Sequence, residues 1–110
     1  MRVVVTSLIF CAIIGCMDST KVAPTIIELG VTTNLESLTL GRSVYINKCT
    51  KCHNALRITR YSNSHWDEIL PEMIHKAKLS KNEANAVKDY IRTVLNTASS
   101  PLTGQPSEHQ

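Results

Sequence analysis

The sequence predicts an all-α protein, and two observations lead to this prediction. Between residues 38 and 95, apolar side chains recur in three segments with the three- and four-residue spacing of amphipathic helices. No segment shows the strict alternation of apolar and polar residues that is typical of a half-buried strand. The chain has 110 residues, which suffices for one small domain.

The first two predicted helices differ in the length of their apolar stripes, and the second contains a proline. The first runs from about residue 38 to residue 52, with an apolar stripe formed by Leu40, Val44 and Tyr45. The second begins near Ser64 and carries a longer stripe, formed by Trp66, Ile69, Leu70, Met73, Ile74 and Ala77. Pro71 lies inside this second pattern. Because proline has no amide hydrogen and clashes with the preceding turn, it should kink the helix or split it in two. The predicted count is therefore three or four helices.

The third helix is the best defined by the sequence. Ser80 and Glu83 have the spacing of a capping box, and Leu79 with Ala84 can form the hydrophobic staple beside it. One face then gathers the apolar side chains Ala84, Val87, Tyr90, Ile91, Val94 and Leu95. This helix is expected to close the domain.

The amino terminus has the pattern of an export signal. Arg2 is followed by a nearly continuous apolar run to residue 14, which is too short to span a membrane but suits the core of a signal peptide. The run ends at Ile13-Ile14-Gly15-Cys16, which resembles the lipobox of bacterial lipoproteins. This resemblance implies cleavage after residue 15, acylation of Cys16, and a location on the periplasmic side of a bacterial membrane. An ordinary signal peptide or a short uncleaved anchor remains the alternative.

The mature chain divides into three parts. Residues 16–36 lack a helical period and predict a tether, although their apolar residues suggest that part of it packs on the domain. Residues 37–96 form the predicted helical domain. Residues 97–110 are rich in Ser, Thr, Pro, Gly and Gln and predict a disordered tail.

The formal net charge of +3 is small, and the Lys and Arg residues are not clustered in a stripe. A nucleic-acid partner is therefore not expected.

The stretch Cys49-Thr50-Lys51-Cys52-His53 has the spacing of a covalent haem attachment site. On a helix, residues three and four positions apart share a face, so both sulfurs can reach the two vinyl groups and the imidazole can reach the iron. A redox dithiol would need a strand–helix–strand setting that the sequence lacks. A zinc site would need more ligands, and only His65 and His75 lie nearby. One haem c is therefore the predicted cofactor.

Cysteine usage agrees with this interpretation. The chain has four cysteines: Cys11 is lost with the signal peptide, Cys16 takes the lipid, and the remaining two take haem. No structural disulfide is expected.

The order of these features resembles the class I c-type cytochromes. In that family a helix leads into the haem motif, a later helix carries a methionine, and a closing helix crosses the first at a glycine and an aromatic residue. Gly41 and Tyr45 match in the first helix, and Tyr90 matches in the last. The resemblance implies a compact three- to four-helix fold around one covalent haem. Many members have a proline soon after the haem histidine, whereas residues 54–63 contain none, so the acceptor for the second ring nitrogen of His53 is not identified by the sequence.

The sixth iron ligand has more than one candidate. His53 supplies one axial position, and the His/Met scheme of the cytochromes c implies Met73 as the other. Met73 lies on the apolar stripe of the second helix, where filling the core is its ordinary role. A vacant position and ligation by His75 remain open, while His65 and Met17 are weaker alternatives.

Two protein ligands on the iron would leave no position for a substrate, which favours electron transfer over enzymatic chemistry. The predicted function is a lipid-anchored, single-haem carrier that passes one electron between membrane-associated redox partners, either alone or as a subunit of a larger complex. A haem-based sensor or gas-binding domain, with a labile or vacant sixth position, is the alternative. A small peroxidase is disfavoured, because no catalytic carboxylate or arginine motif accompanies the single haem.

Overall fold

The computed structural model describes residues 22–100, and no strand occurs within this range. The helices are α1 (Ile26–Leu29), α2 (Leu35–Asn47), α3 (Asn63–Lys76) and α4 (Lys81–Ser99), with short 3-10 helices at Cys49–Lys51 and Ile58–Arg60. The prediction of an all-α fold is therefore confirmed, with four helices in the described part. The predicted signal peptide, Cys16 and residues 101–110 of the predicted tail lie outside the described residues.

The end of α2 differs from the prediction. The α-helix was expected to continue through Cys52, but it ends at Asn47 and the motif begins on a separate 3-10 helix. The Thr50 hydroxyl donates to the Ile46 carbonyl over 2.5 Å. The same hydroxyl-to-carbonyl bond occurs within the continuous α4, from Thr93 to Asp89 and from Thr97 to Thr93, so this bond alone does not end the α-helix.

Proline does not split α3, which is one continuous helix across Pro71. Proline offers no amide to the Asp67 carbonyl, but both residues are exposed, so water can satisfy that carbonyl. The helix begins one residue earlier than predicted, with the Ser62 hydroxyl accepting from the His65 amide.

At the start of α4 the predicted capping box is confirmed. The Ser80 hydroxyl accepts from the Glu83 amide over 3.2 Å, and the Glu83 carboxylate accepts from the Ser80 amide over 3.0 Å.

The core forms where α2 crosses α4. The crossing is close at Gly41, where a methyl group would lie 2.7 Å from the Tyr90 Cβ and closer still to the Ala86 carbonyl oxygen. A glycine is needed there because the atoms that a methyl group would meet are the backbone carbonyl of Ala86 and the Cβ of Tyr90. Neither can move away by rotation of a side chain. The buried apolar side chains around this crossing are Leu38, Val44, Tyr45, Ile58, Trp66, Leu70, Ala86, Val87, Tyr90, Ile91, Val94 and Leu95.

Part of the predicted tether belongs to the folded domain. Residues 23–30, here called the N-terminal strap, bury Ala23 completely and Leu29 almost completely. The Arg42 Nε donates to the carbonyls of Ala23 and Pro24, over 3.1 Å and 3.2 Å, and the Tyr90 hydroxyl donates to Pro24 over 2.6 Å. The chain is therefore fixed to the domain from Ala23 onward. None of the helices in the range 22–100 has the length and apolarity needed to cross a bilayer.

Candidate haem site

The two motif cysteines lie on one tight turn. Cys49 is half-buried and Cys52 is exposed, and both are free thiols. Cys52 directly follows the 3-10 helix. Residues three apart superpose along such a helix, and both cysteines line one cleft. Burial, and secondarily the charge of Cys52, raises the pKa of the Cys49 thiol. Cys49 therefore remains a protonated thiol near neutral pH.

His53 directly follows the turn and is exposed. Its Nδ1 atom lies 2.9 Å from the carbonyl oxygen of Asn54. A proton on Nδ1 makes this contact a hydrogen bond and leaves the Nε2 lone pair available for a metal. The Asn54 carbonyl is thus the acceptor that the sequence alone did not identify.

An open cleft separates the motif from α3. Lys48, Cys49, Cys52 and His53 line one side, and the other side is lined by Ile69, Glu72, Met73, Lys76 and Ala77. The cleft has a volume of about 270 Å³. A deeper, largely apolar recess shares Cys49, His53 and Met73 and is otherwise lined by Tyr45, Ala55, Leu56, Trp66 and Leu70. Four predicted site residues, Cys49, Cys52, His53 and Met73, therefore border one continuous space.

The donor set around this space fits a covalently attached haem. Two thiols that line one cleft suit two thioethers, and an imidazole and a thioether suit the two axial positions. Within the described residues, no group of three or more His, Cys, Asp or Glu side chains is arranged to hold a metal ion. A haem iron needs no such group, because the porphyrin supplies its other four ligands.

The alternative axial ligands occupy other places. His65 is exposed, and its ring packs on Tyr61 with the ring centroids 4.5 Å apart. His75 is exposed and is not among the residues that line the cleft. Met17 lies outside the described residues. Of the described candidates, Met73 is the one that borders the cleft.

Two ion pairs flank the mouth of the cleft. Lys48 contacts Glu83 over 2.5 Å, and Lys76 contacts Glu72 over 2.6 Å. The hydrogen bond from Lys48, followed by the one from the Ser80 backbone, lowers the pKa of Glu83. Each lysine at the mouth therefore has a carboxylate partner, and the Lys48–Glu83 pair also links the end of α2 to the start of α4.

The sequence did not identify how the loop behind the cleft is held. The Tyr45 hydroxyl donates to the Leu56 carbonyl, and the Trp66 Nε1 donates to the Ile58 carbonyl over 2.9 Å. Ile58 itself is completely buried. In the sequence, Ile58 is an isolated apolar residue between Arg57 and Thr59. A single apolar residue has no spacing from which its burial could be predicted. The expectation that Trp66 belongs to the core is confirmed, since it is only 3% exposed.

Comparison of the chain with protein-family models, with curated proteins and with solved structures found no match. Function is therefore inferred from the fold and the site.

Proposed function

We propose that this protein is a single-haem, c-type electron carrier, held at the periplasmic side of a bacterial membrane by lipid on Cys16. One observation carries the proposal: Cys49, Cys52, His53 and Met73 border the same cleft, whose inner wall is apolar. The sequence resemblance to the class I c-type cytochromes supports the same conclusion.

Each residue at the cleft has a chemical role in this proposal. Cys49 and Cys52 would hold the haem through thioethers, and His53 and Met73 would take the two axial positions. When bound, the haem supplies one iron that alternates between the ferric and ferrous states. The thioether of Met73 favours the ferrous state relative to a second histidine.

The wall of the recess excludes water from the same space. Trp66 and Leu70 are buried, and Tyr45 packs edge-on against Trp66 with the ring centroids 6.3 Å apart. An apolar surrounding disfavours the additional positive charge of the oxidised form, because charge is poorly solvated there. The wall therefore acts in the same direction as Met73. With both axial positions taken, no site remains for a substrate on the iron, which favours transfer of an electron alone.

Optical spectra test the proposal. The chain is co-expressed with haem-maturation machinery, together with Met73→Ala and with the control Ile74→Ala, which truncates the neighbouring α3 residue that does not line the cleft. We expect covalent haem in all three proteins. Only Met73→Ala should lose the methionine-to-iron charge-transfer band and bind carbon monoxide readily when reduced.

Three results would contradict parts of this proposal. Wild-type protein without covalent haem would exclude the haem assignment. An unchanged charge-transfer band in Met73→Ala would exclude Met73 as the ligand. Ready carbon monoxide binding by the reduced wild type would favour the sensor or gas-binding alternative.

The membrane anchor is tested separately. Cys16→Ser should move the protein from the membrane fraction to the soluble periplasmic fraction while its haem spectrum stays unchanged. Cys11→Ser is the matched control, because that residue would be removed with the signal peptide. Release of the Cys11 variant, or mature wild-type protein whose Cys16 carries no lipid in mass spectrometry, would contradict lipidation at Cys16.

A further inference from the structure

Three side chains donate hydrogen bonds to alternate carbonyls of the segment that follows the haem motif. This segment, residues 54–58, is here called the motif loop. His53 contacts the carbonyl of Asn54, Tyr45 donates to Leu56, and Trp66 donates to Ile58. The first bond involves the proposed iron ligand, and the other two come from separate helices.

The two helical donors are buried side chains on separate helices. Tyr45 on α2 is 4% exposed and Trp66 on α3 is 3% exposed, and their rings are in edge-on contact. Burial raises the pKa of the Tyr45 hydroxyl well above its usual range, so this group stays a donor at all ordinary pH values. Residues 54–63, which include the motif loop, contain no proline. The backbone of the loop is therefore not restricted by a proline ring.

We propose that Tyr45 and Trp66 are positioning residues for His53. By holding the carbonyls of Leu56 and Ile58, they fix the path of the motif loop and so the direction of the Asn54 carbonyl. That carbonyl in turn keeps the proton on Nδ1 and turns Nε2 toward the cleft. The proposal rests on the proposed function, since it gives the orientation of His53 a role at the iron.

This arrangement has a consequence that can be measured. A hydrogen bond from Nδ1–H makes the imidazole a stronger electron donor, which stabilises the ferric state. Loosening the motif loop should weaken this bond, raise the reduction potential and expose the Nδ1 proton to solvent.

Tyr45→Phe tests the idea with the smallest change. Tyr90→Phe is the matched control, because Tyr90 is also a buried tyrosine whose hydroxyl donates to a carbonyl, but that carbonyl belongs to Pro24 in the N-terminal strap. Tyr61→Phe is a second control from the aromatic cluster around Trp66. Trp66→Phe removes the other donor. The readouts are the reduction potential and the exchange rate of the Nδ1 proton, measured by NMR on the haem-loaded proteins.

We expect Tyr45→Phe to raise the reduction potential by up to about 59 mV, a tenfold change in a one-electron equilibrium constant, and to speed Nδ1 proton exchange several-fold. Trp66→Phe should act in the same direction, and the two controls should change neither readout. Because Tyr45 and Trp66 also line the recess, the potential alone could shift through the wall, so the exchange rate of the Nδ1 proton is the deciding readout. Equal exchange rates in Tyr45→Phe, Tyr90→Phe and wild type would overturn the positioning role while leaving the haem assignment intact. If the wild type attaches no haem, the proposed function fails and this proposal fails with it.

Discussion

The crossing of α2 and α4 at Gly41 allows a quantitative test of the packing. In Gly41→Ala the new methyl group would lie 2.7 Å from the Tyr90 Cβ, whereas carbon atoms in contact are normally about 3.5–4.0 Å apart. The shortfall is roughly 1 Å, and no rotation of a side chain can relieve it, because the Tyr90 Cβ and the Ala86 carbonyl move only with the α4 backbone. The two helices must therefore separate at the centre of the core.

The expected cost follows from two opposing terms. Overpacking of this kind typically costs about 1–3 kcal/mol, and the absence of a flexible neighbour places Gly41 at the upper end. Alanine regains about 1 kcal/mol through its higher helix propensity. We expect a net loss of about 2 kcal/mol in the free energy of unfolding, which for a domain of this size lowers the melting temperature by roughly 8–16 °C.

Urea unfolding followed by far-ultraviolet circular dichroism measures this change. Thr39→Ala is the control, because Thr39 is exposed on the same helix and reports helix propensity without the steric clash. That variant should be as stable as wild type or slightly more stable. Gly41→Ala with stability equal to or above wild type would show that the helices do not approach as closely as described.

Three further predictions concern single contacts. Tyr90→Phe removes the donor to Pro24 but leaves the Arg42 bond, so we expect a loss of about 0.5–1.5 kcal/mol and faster proteolysis within the N-terminal strap; unchanged cleavage would show that the strap is held by other contacts. Trp66→Phe leaves the Ile58 carbonyl without its side-chain donor and should cost about 1–3 kcal/mol in urea unfolding, whereas a cost near zero would mean that water or another group replaces the indole. Glu83→Gln keeps a capping acceptor for Ser80 but removes the charge that pairs with Lys48. Because the pKa of Glu83 is lowered in the fold, its contribution is present above the unfolded pKa of about 4.3 and is lost as the pH falls through the folded value. Wild type should therefore be the more stable protein at pH 6, and the difference should shrink toward pH 3; a constant difference would exclude this role for the charge.

The sequence predicted the regular parts of this fold well. The capping box at Ser80 and the apolar stripe of α4 follow from local spacing, and both are present in the structure. The buried position of Trp66 followed from the same kind of pattern. Such features depend on neighbours along the chain, so the sequence alone contains the necessary information.

The deviations concern the points at which a helix ends or continues. The α-helical part of α2 ends at Asn47 and is followed by a 3-10 helix, although periodicity predicted a longer α-helix. Pro71 was expected to kink or split α3, and the split does not occur: the carbonyl that proline leaves without an amide partner lies among exposed residues, where water can satisfy it. Neither outcome can be read from apolar spacing.

The sequence predicted which residues form the candidate site, but it did not predict the hydrogen bonds that hold these residues in place. Cys49, Cys52, His53 and Met73 were named from the motif and the resemblance, and they border one cleft. The Asn54 carbonyl beside His53 was not predicted, because it is a backbone atom whose direction depends on the path of an irregular loop. The donors that hold this loop come from distant elements, and no local pattern pairs Trp66 with Ile58.

The N-terminal strap would limit how far the domain can move from a lipid on Cys16. Its anchoring by Arg42 and Tyr90 at Pro24 leaves only seven residue steps between Cys16 and the first fixed residue, Ala23. A fully extended chain spans at most about 3.6 Å per residue, so a lipid on Cys16 would keep Ala23 within about 25 Å of its attachment point. If Cys16 is lipidated as proposed, the domain could rotate and diffuse along the bilayer but could not leave its surface. The redox partners in the proposed function would then have to lie in or on the same membrane.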